Sequence, residues 1–124
     1  MISTRKPLQK RRLVNPRFLA ILLTALLLTA CSQPLPPGKR GYAGHWQGEG
    51  MFLIITADGR VSFKRTSGGV SKSIDAPVKA FHGDDFEVGF AFMSTHFKVE
   101  QPPRETEGIW TMVVDGVTLT RLQQ

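Results

Sequence analysis

The stretch Trp110-Thr111-Met112-Val113-Val114-Asp115-Gly116-Val117-Thr118-Leu119 places an Asp-Gly pair between two apolar runs. An Asp-Gly pair in this setting is a strong signal for a two-residue hairpin turn, because both turn positions need a positive φ. A second pair, Asp58-Gly59, lies between the apolar runs Met51–Ile55 and Val61–Phe63. The sequence therefore predicts two antiparallel hairpins, each with a two-residue turn.

The chain between these hairpins shows the period-two alternation of β-strands. Phe86, Val88, Phe90 and Phe92 are predicted to face a core while the residues between them face solvent. The run 94–100 alternates in the same way, so it is predicted to form one further strand with one wet face.

Turn and breaker residues divide the rest of this region. Pro102-Pro103 is predicted to end the strand before it, and Pro77 interrupts a weaker strand over 70–78. We therefore expect an all-β fold over residues 42–124: a small antiparallel meander of seven to eight strands, closed as a barrel or folded as a sandwich.

The N-terminal residues carry the three parts of an export signal: a basic region, the apolar run Phe18–Leu28, and small residues before Cys31. The run Leu28-Thr29-Ala30-Cys31 resembles the lipobox of bacterial lipoprotein signal peptides. That resemblance implies a signal helix over residues 1–30 that is cleaved off, a diacylglyceryl group on the Cys31 sulfur, and usually a further acyl chain on the new α-amine. The alternative is an uncleaved membrane helix, although an 11-residue apolar run is shorter than the roughly 20 residues that span a bilayer.

The same resemblance implies a cellular location. We expect a lipid-anchored protein of the bacterial cell envelope, held in the membrane by the acyl chains on Cys31. In enteric lipoproteins an Asp after the cysteine favours the inner membrane, so Ser32 implies the outer membrane, facing the periplasm. Residues 31–41 are rich in proline and are predicted to be the lipidated Cys31 and a flexible tether.

The charge balance changes when it is divided at Cys31. The full chain has 16 Lys and Arg against 10 Asp and Glu, but six of the basic residues precede Cys31 and the other ten balance the acids. Nucleic-acid binding requires a concentrated basic surface, so no nucleic-acid partner is expected. Cys31 is the only cysteine, and its lipidation would leave no thiol for a disulfide, for catalysis or for metal binding.

The motif Gly44-His45-Trp46, with Arg121 near the end of the chain, resembles the Gly-x-Trp and closing-strand arginine of lipocalins and other calycins. The resemblance implies that Trp46 and Arg121 pack together at one end of a barrel. The domain is much shorter than a lipocalin, and a domain of about 80 residues needs its interior for core packing. We therefore expect a filled core rather than a ligand cavity.

The acidic residues, serines and histidines of the chain do not form a pattern typical of a catalytic or metal-binding site. Asp84-Asp85 is typical of a turn, and Ser94 with His96 lacks the elbow and third group of a nucleophilic site. The three histidines His45, His82 and His96 show no metal-ligand spacing. We expect no catalytic residues, no metal and no cofactor, and hence no enzyme.

Two strands are apolar on both faces. If Met51, Leu53 and Ile55 face the core, then Phe52 and Ile54 face away from it, and Ile109 and Val113 are opposed in the same way to Trp110, Met112 and Val114. Such strands need cover on the second face, either from the rest of the domain or from a docked partner. Phe52, Ile54, Ile109 and Val113 are therefore the candidate interaction residues.

Three functions follow from these expectations. The leading one is a non-enzymatic interaction or accessory module on the periplasmic side, with an envelope protein as a possible partner. The first alternative is a barrel that binds a small apolar ligand, lined by Trp46 and the Phe86–Phe92 face. The second is an inhibitor of a lysozyme-type hydrolase, because small barrel lipoproteins with that activity present a Ser/Gly-rich loop such as Ser67-Gly68-Gly69.

Overall fold

A computed structural model describes residues 32–123; the predicted signal peptide and Cys31 lie outside the described residues. Within that range a short 3-10 helix, Pro37–Tyr42, precedes nine strands. The strands are β1 Gly44–Gly48, β2 Met51–Ile55, β3 Arg60–Ser67, β4 Val70–His82, β5 Asp85–Phe90, β6 Met93–Phe97, β7 Val99–Thr106, β8 Ile109–Val114 and β9 Val117–Arg121.

The nine strands form one antiparallel sheet in the order β6-β5-β4-β3-β2-β1-β9-β8-β7, strongly curled into an open half-barrel. The prediction of an all-β antiparallel fold is confirmed, although the chain does not form a simple meander, because β6 and β7 lie at opposite edges of the sheet. The described chain has nine strands rather than seven or eight, and they form an open curled sheet rather than a closed barrel or a sandwich. Below, the inner face is the concave side that carries the core, and the outer face is the opposite side.

Residues 94–100, predicted to be one strand, belong to two strands at opposite edges of the sheet. The chain leaves β6 at Phe97 and enters β7 at Val99, so Lys98 alone connects the two edges. The backbone N–H of Lys98 donates to Asp115 Oδ1 at 2.9 Å, and the Asp115 N–H donates to the Lys98 carbonyl at 2.8 Å. These bonds satisfy the peptide groups at the crossing and divide the alternating run into two strands.

The two Asp-Gly pairs form different turns. Asp115 and Gly116 have φ of 47° and 79°, and Val114 pairs with Val117, so the two-residue turn is confirmed. At the other pair the φ of Gly59 is 88°, but Thr56 N–H bonds to the Arg60 carbonyl and closes a longer loop. The prediction of a two-residue turn there is wrong because the loop is held by Thr56, whose Oγ1 accepts the Arg60 N–H at 3.0 Å.

Prolines lie inside two strands instead of ending them. In β7, Pro102 and Pro103 occupy the edge of the sheet, and the register shifts between Gln101 and Arg104. An edge strand has one row of N–H groups outside the ladder, so it tolerates residues that lack a donor. In β4, Pro77 is the last residue paired with β3 and Val78 the first paired with β5, so this proline lies where the strand changes partner.

Aromatic side chains fill the inner face. Phe86 and Phe97 are stacked with ring centroids 5.0 Å apart, and Phe63 meets Phe97 edge-on at 4.9 Å. Other residues with almost no exposed surface are Trp46, Leu53, Val61, Val88, Met112, Val114 and Leu119. This interior is a packed core, as expected for a domain of this size.

The segment that precedes β1 packs against the sheet, which differs from the flexible tether predicted for residues 31–41. Leu35 is buried, and its N–H donates to the Ala57 carbonyl at 3.1 Å. The carbonyl of Gln33 lies so close to Gly59 that a Cβ there would collide with it. The prolines of this segment restrict its backbone in the unfolded chain, so it loses less conformational entropy when it packs against the sheet. The burial of Leu35 favours this packing, and the proline-rich composition did not predict it.

Candidate functional site

The outer face of β2 carries two large apolar side chains. Burial alternates along this strand: Met51, Leu53 and Ile55 are buried, while Phe52 and Ile54 keep part of their surface accessible. An open groove of about 400 Å³ runs beside Phe52 across β3 and β4. Its lining residues are Phe52, Ser62, Phe63, Lys64, Ser73, Ile74 and Asp75.

Polar residues border this apolar pair. Phe52 is in register with Gln47 on β1 and Lys64 on β3, and Ile54 is in register with His45 and Ser62. At the far side of the groove the Arg60 guanidinium bonds Asp75 at 3.1 Å. An apolar centre with a rim of mixed charge is the arrangement found at protein–protein contact surfaces.

The other two candidate interaction residues lie elsewhere on the sheet. Ile109 is 53% exposed at the start of β8, and Val113 is half-buried on the same strand. β1 and β9 separate β8 from β2, so the two pairs are about 14 Å apart at the usual strand spacing. The structure therefore does not unite Phe52, Ile54, Ile109 and Val113 in one patch.

The turn between β5 and β6 exposes apolar side chains, and two of them, Phe90 and Phe92, belong to the run that was predicted to face the core. Phe90 is 51% exposed, Phe92 93% and Met93 66%, whereas Phe86 and Val88 are buried as predicted. Phe90 pairs with Met93, and Ala91 has a φ of 48°, so the strand ends at Phe90 and Phe92 lies in the turn. We call Phe90–Met93 the β5–β6 tip.

Arg121 contacts two tryptophan rings. Its guanidinium carbon lies 5.5 Å from the Trp46 centroid and 4.6 Å from the Trp110 centroid, and Nη1 donates to the Ala43 carbonyl at 3.2 Å. Gly44 leaves room for this side chain, because a Cβ at that position would collide with it. Trp110 was not recognised as a partner of Arg121 from the sequence, although the register of the predicted hairpin, with Val114 opposite Val117, already places Trp110 opposite Arg121.

Two histidines pair with carboxylates on exposed surface. His82 Nε2 lies 2.6 Å from Glu87 Oε1, and His96 Nε2 lies 3.1 Å from Asp85 Oδ2. Asp85 also accepts the Val99 N–H at 2.8 Å, and this hydrogen bond, with a smaller contribution from His96, lowers the pKa of the carboxyl. His96 thus faces Asp85, which in turn connects β5 to the start of β7.

The acidic pair Asp84-Asp85 lies beside the hydroxyl of Tyr42. The Asp84 carbonyl accepts the Tyr42 hydroxyl at 2.8 Å, and burial raises the pKa of Tyr42 to about 12, with the negative charges of Asp84 and Asp85 adding to the effect. Among residues 32–123, no group of three or more His, Cys, Asp or Glu side chains could hold a metal ion. The same residues include no helix with the length and apolar character to cross a membrane.

Neither the family models, nor the curated proteins, nor the solved structures include a match to this chain. The described fold and its surfaces are therefore the basis for a functional interpretation. Cys31 lies outside the described residues, and its lipidation stays a prediction.

Proposed function

We propose that this chain is a lipid-anchored protein of the bacterial envelope whose β domain is a non-enzymatic interaction module. The observation that carries the proposal is the position of Phe52 and Ile54 on the outer face of β2, directed away from an inner face that is already filled. Large apolar side chains in such a position are typical of a surface that a partner covers. The partner would be another envelope protein.

The packing of the inner face favours this function over the binding of a small apolar ligand. A drug-sized ligand needs an enclosed space of about 300 Å³ or more. Trp46, Phe86 and Phe97 occupy the inner face and have almost no exposed surface. Apolar recognition is thus better placed on the outer face, along the groove beside Phe52.

The lipid anchor and the location are part of the same proposal. They rest on the resemblance of Leu28-Thr29-Ala30-Cys31 to a lipobox and on Ser32, which implies the outer membrane facing the periplasm. To test the anchor, the full chain is expressed with its own N-terminus in a Gram-negative host and the mature N-terminal fragment is weighed. We expect cleavage before Cys31 and the added mass of the acyl groups; a Cys31→Ser chain is expected to lose both.

The docking surface is tested with a photo-crosslinking residue at position 52 of the anchored protein in cells. The matched control is position 104, because Arg104 is exposed on the edge strand β7, four strands away from β2 in the order of the sheet. We expect one specific envelope protein to be crosslinked from position 52 and not from position 104. Identical products from both positions, or a lipid co-purifying with the domain and no protein adduct, would contradict the interaction module.

A further inference from the structure

The β5–β6 tip is convex and apolar. Phe90 and Met93 form the last pair of the hairpin, and Ala91 and Phe92 alone connect them, so Phe92 lies at the extremity with 93% of its surface exposed. A two-residue turn offers no concave surface to an incoming side chain. A few apolar side chains at a convex extremity are instead suited to a fluid phase, such as the boundary between lipid headgroups and acyl chains.

This tip lies on the flank of the domain where the described chain begins. Gln33, Pro34 and Leu35 share a cleft of about 280 Å³ with Lys79 on β4. The Lys79 ammonium in turn donates a hydrogen bond to the Ala91 carbonyl in the tip. Lys79 therefore lies between the first described residues and the tip, and Ser32 is joined directly to Cys31, the predicted acylation site.

The charge beside the tip fits a lipid surface as well. Lys79 is exposed along β4, and its ammonium is bound to the backbone carbonyl of Ala91 rather than to a carboxylate. If Phe92 enters the acyl boundary, this cation lies at the depth of the phosphate groups. Anionic headgroups attract cations at that depth.

We propose that the β5–β6 tip is a second membrane contact, which inserts Phe92 into the phospholipid surface that holds the acyl chains of Cys31. This inference rests on the proposed lipid anchor and goes beyond it, because it assigns an orientation to the domain. With the tip in the bilayer, the domain is held at two points instead of turning freely about its N-terminus. The outer face of β2 then keeps a constant angle to the membrane, which suits docking to a partner in the same membrane.

The test uses the full processed protein in vesicles of phosphatidylethanolamine and phosphatidylglycerol, with a polarity-sensitive fluorophore on a Phe92→Cys chain. An acylated Cys31 has no free thiol, so only position 92 takes the label. We expect a blue shift and a rise in emission, and quenching by nitroxide-labelled lipid but not by aqueous iodide. The matched control is Ile109→Cys, because Ile109 is as exposed as Phe90 and belongs to β8 rather than to the β5–β6 hairpin; a fluorophore at position 109 is expected to show the emission of a water-exposed label.

A charge variant and a change of lipid composition test the contribution of Lys79 and of the anionic headgroups. Lys79→Gln is expected to weaken the response at position 92 in these vesicles, and vesicles of phosphatidylcholine alone should weaken it too. An acylated Cys31 with a water-like signal at position 92 overturns the second contact and leaves the anchor standing. A response that appears only when envelope proteins are added overturns it in favour of a protein partner, and an unmodified Cys31 overturns both proposals.

Discussion

Arg121 lies over the ring of Trp110, with its guanidinium carbon 4.6 Å from the ring centroid, and also contacts Trp46. A cation over an aromatic face, partly shielded from water, contributes about 1–2 kcal/mol. We expect Arg121→Ala to lower the free energy of unfolding by that amount in chemical denaturation. Arg121→Lys should lose part of it, because an ammonium does not stack as a planar guanidinium does. Arg104→Ala, on the exposed edge strand β7, is the control and should change stability by no more than about 0.5 kcal/mol.

The neighbours Phe52 and Leu53 should respond differently to truncation, because they face opposite sides of β2. Leu53 has no exposed surface, so Leu53→Ala is expected to cost about 2–5 kcal/mol of unfolding free energy. Phe52→Ser removes a side chain that keeps part of its surface in water and is expected to cost less, about 1–2 kcal/mol. Equal losses in urea denaturation would show that Phe52 belongs to the core, and the docking surface would lose its basis.

Phe97 and Phe92 give a second matched pair. Phe97 stacks on Phe86 at 5.0 Å and is 1% exposed, so Phe97→Ala should lower the unfolding free energy by about 3–5 kcal/mol. Phe92 is 93% exposed, and Phe92→Ala should change it by less than about 0.5 kcal/mol. Thermal unfolding followed by circular dichroism measures both; a large loss at Phe92 would place it in the core after all.

Gly116, the second residue of the turn Asp115-Gly116, should not accept a side chain without a loss of stability. Gly116 has a φ of 79°, a left-handed conformation that costs residues with a Cβ roughly 1–2 kcal/mol. We expect Gly116→Ala to destabilise the fold by that amount even though the space around it is open. Gly38→Ala is the control: space is open there too, its φ is not left-handed, and its stability should match that of the unmodified chain.

Tyr42 provides a spectroscopic test, because it is the only tyrosine of the chain. Burial and the charges of Asp84 and Asp85 raise its pKa from 10.0 to about 12. The folded state holds the phenol proton more tightly than the unfolded state does, so this contribution to stability is complete below pH 10 and is lost as the pH rises towards 12. Phenolate absorbance should follow the raised pKa while circular dichroism shows an intact fold. In Asp84→Asn the pKa should fall only part of the way, since burial remains; titration of the folded chain at an ordinary pKa would contradict this environment.

Local patterns account for most of the strands and for the outward direction of Phe52 and Ile54. Alternation with a period of two separates the faces of a strand wherever the strand is regular, which is why Phe86 and Val88 are buried as predicted. It fails at Phe90 and Phe92 because the hairpin turns there. Whether an apolar residue lies in a strand or in its turn depends on where the next strand pairs, and that information is not local.

The sequence by itself determined the β class, the antiparallel pairing and the turn at Asp115-Gly116, because side-chain alternation and a positive φ are properties of a few consecutive residues. Only the tertiary structure decided that Lys98 carries the chain from one edge of the sheet to the other, that Leu35 packs against the sheet, and that β9 pairs with β1. Each of these features depends on residues that are distant in sequence. The order of the strands in the sheet brings these residues together. That order depends on pairing between distant segments, so it cannot be predicted from composition or from local periodicity.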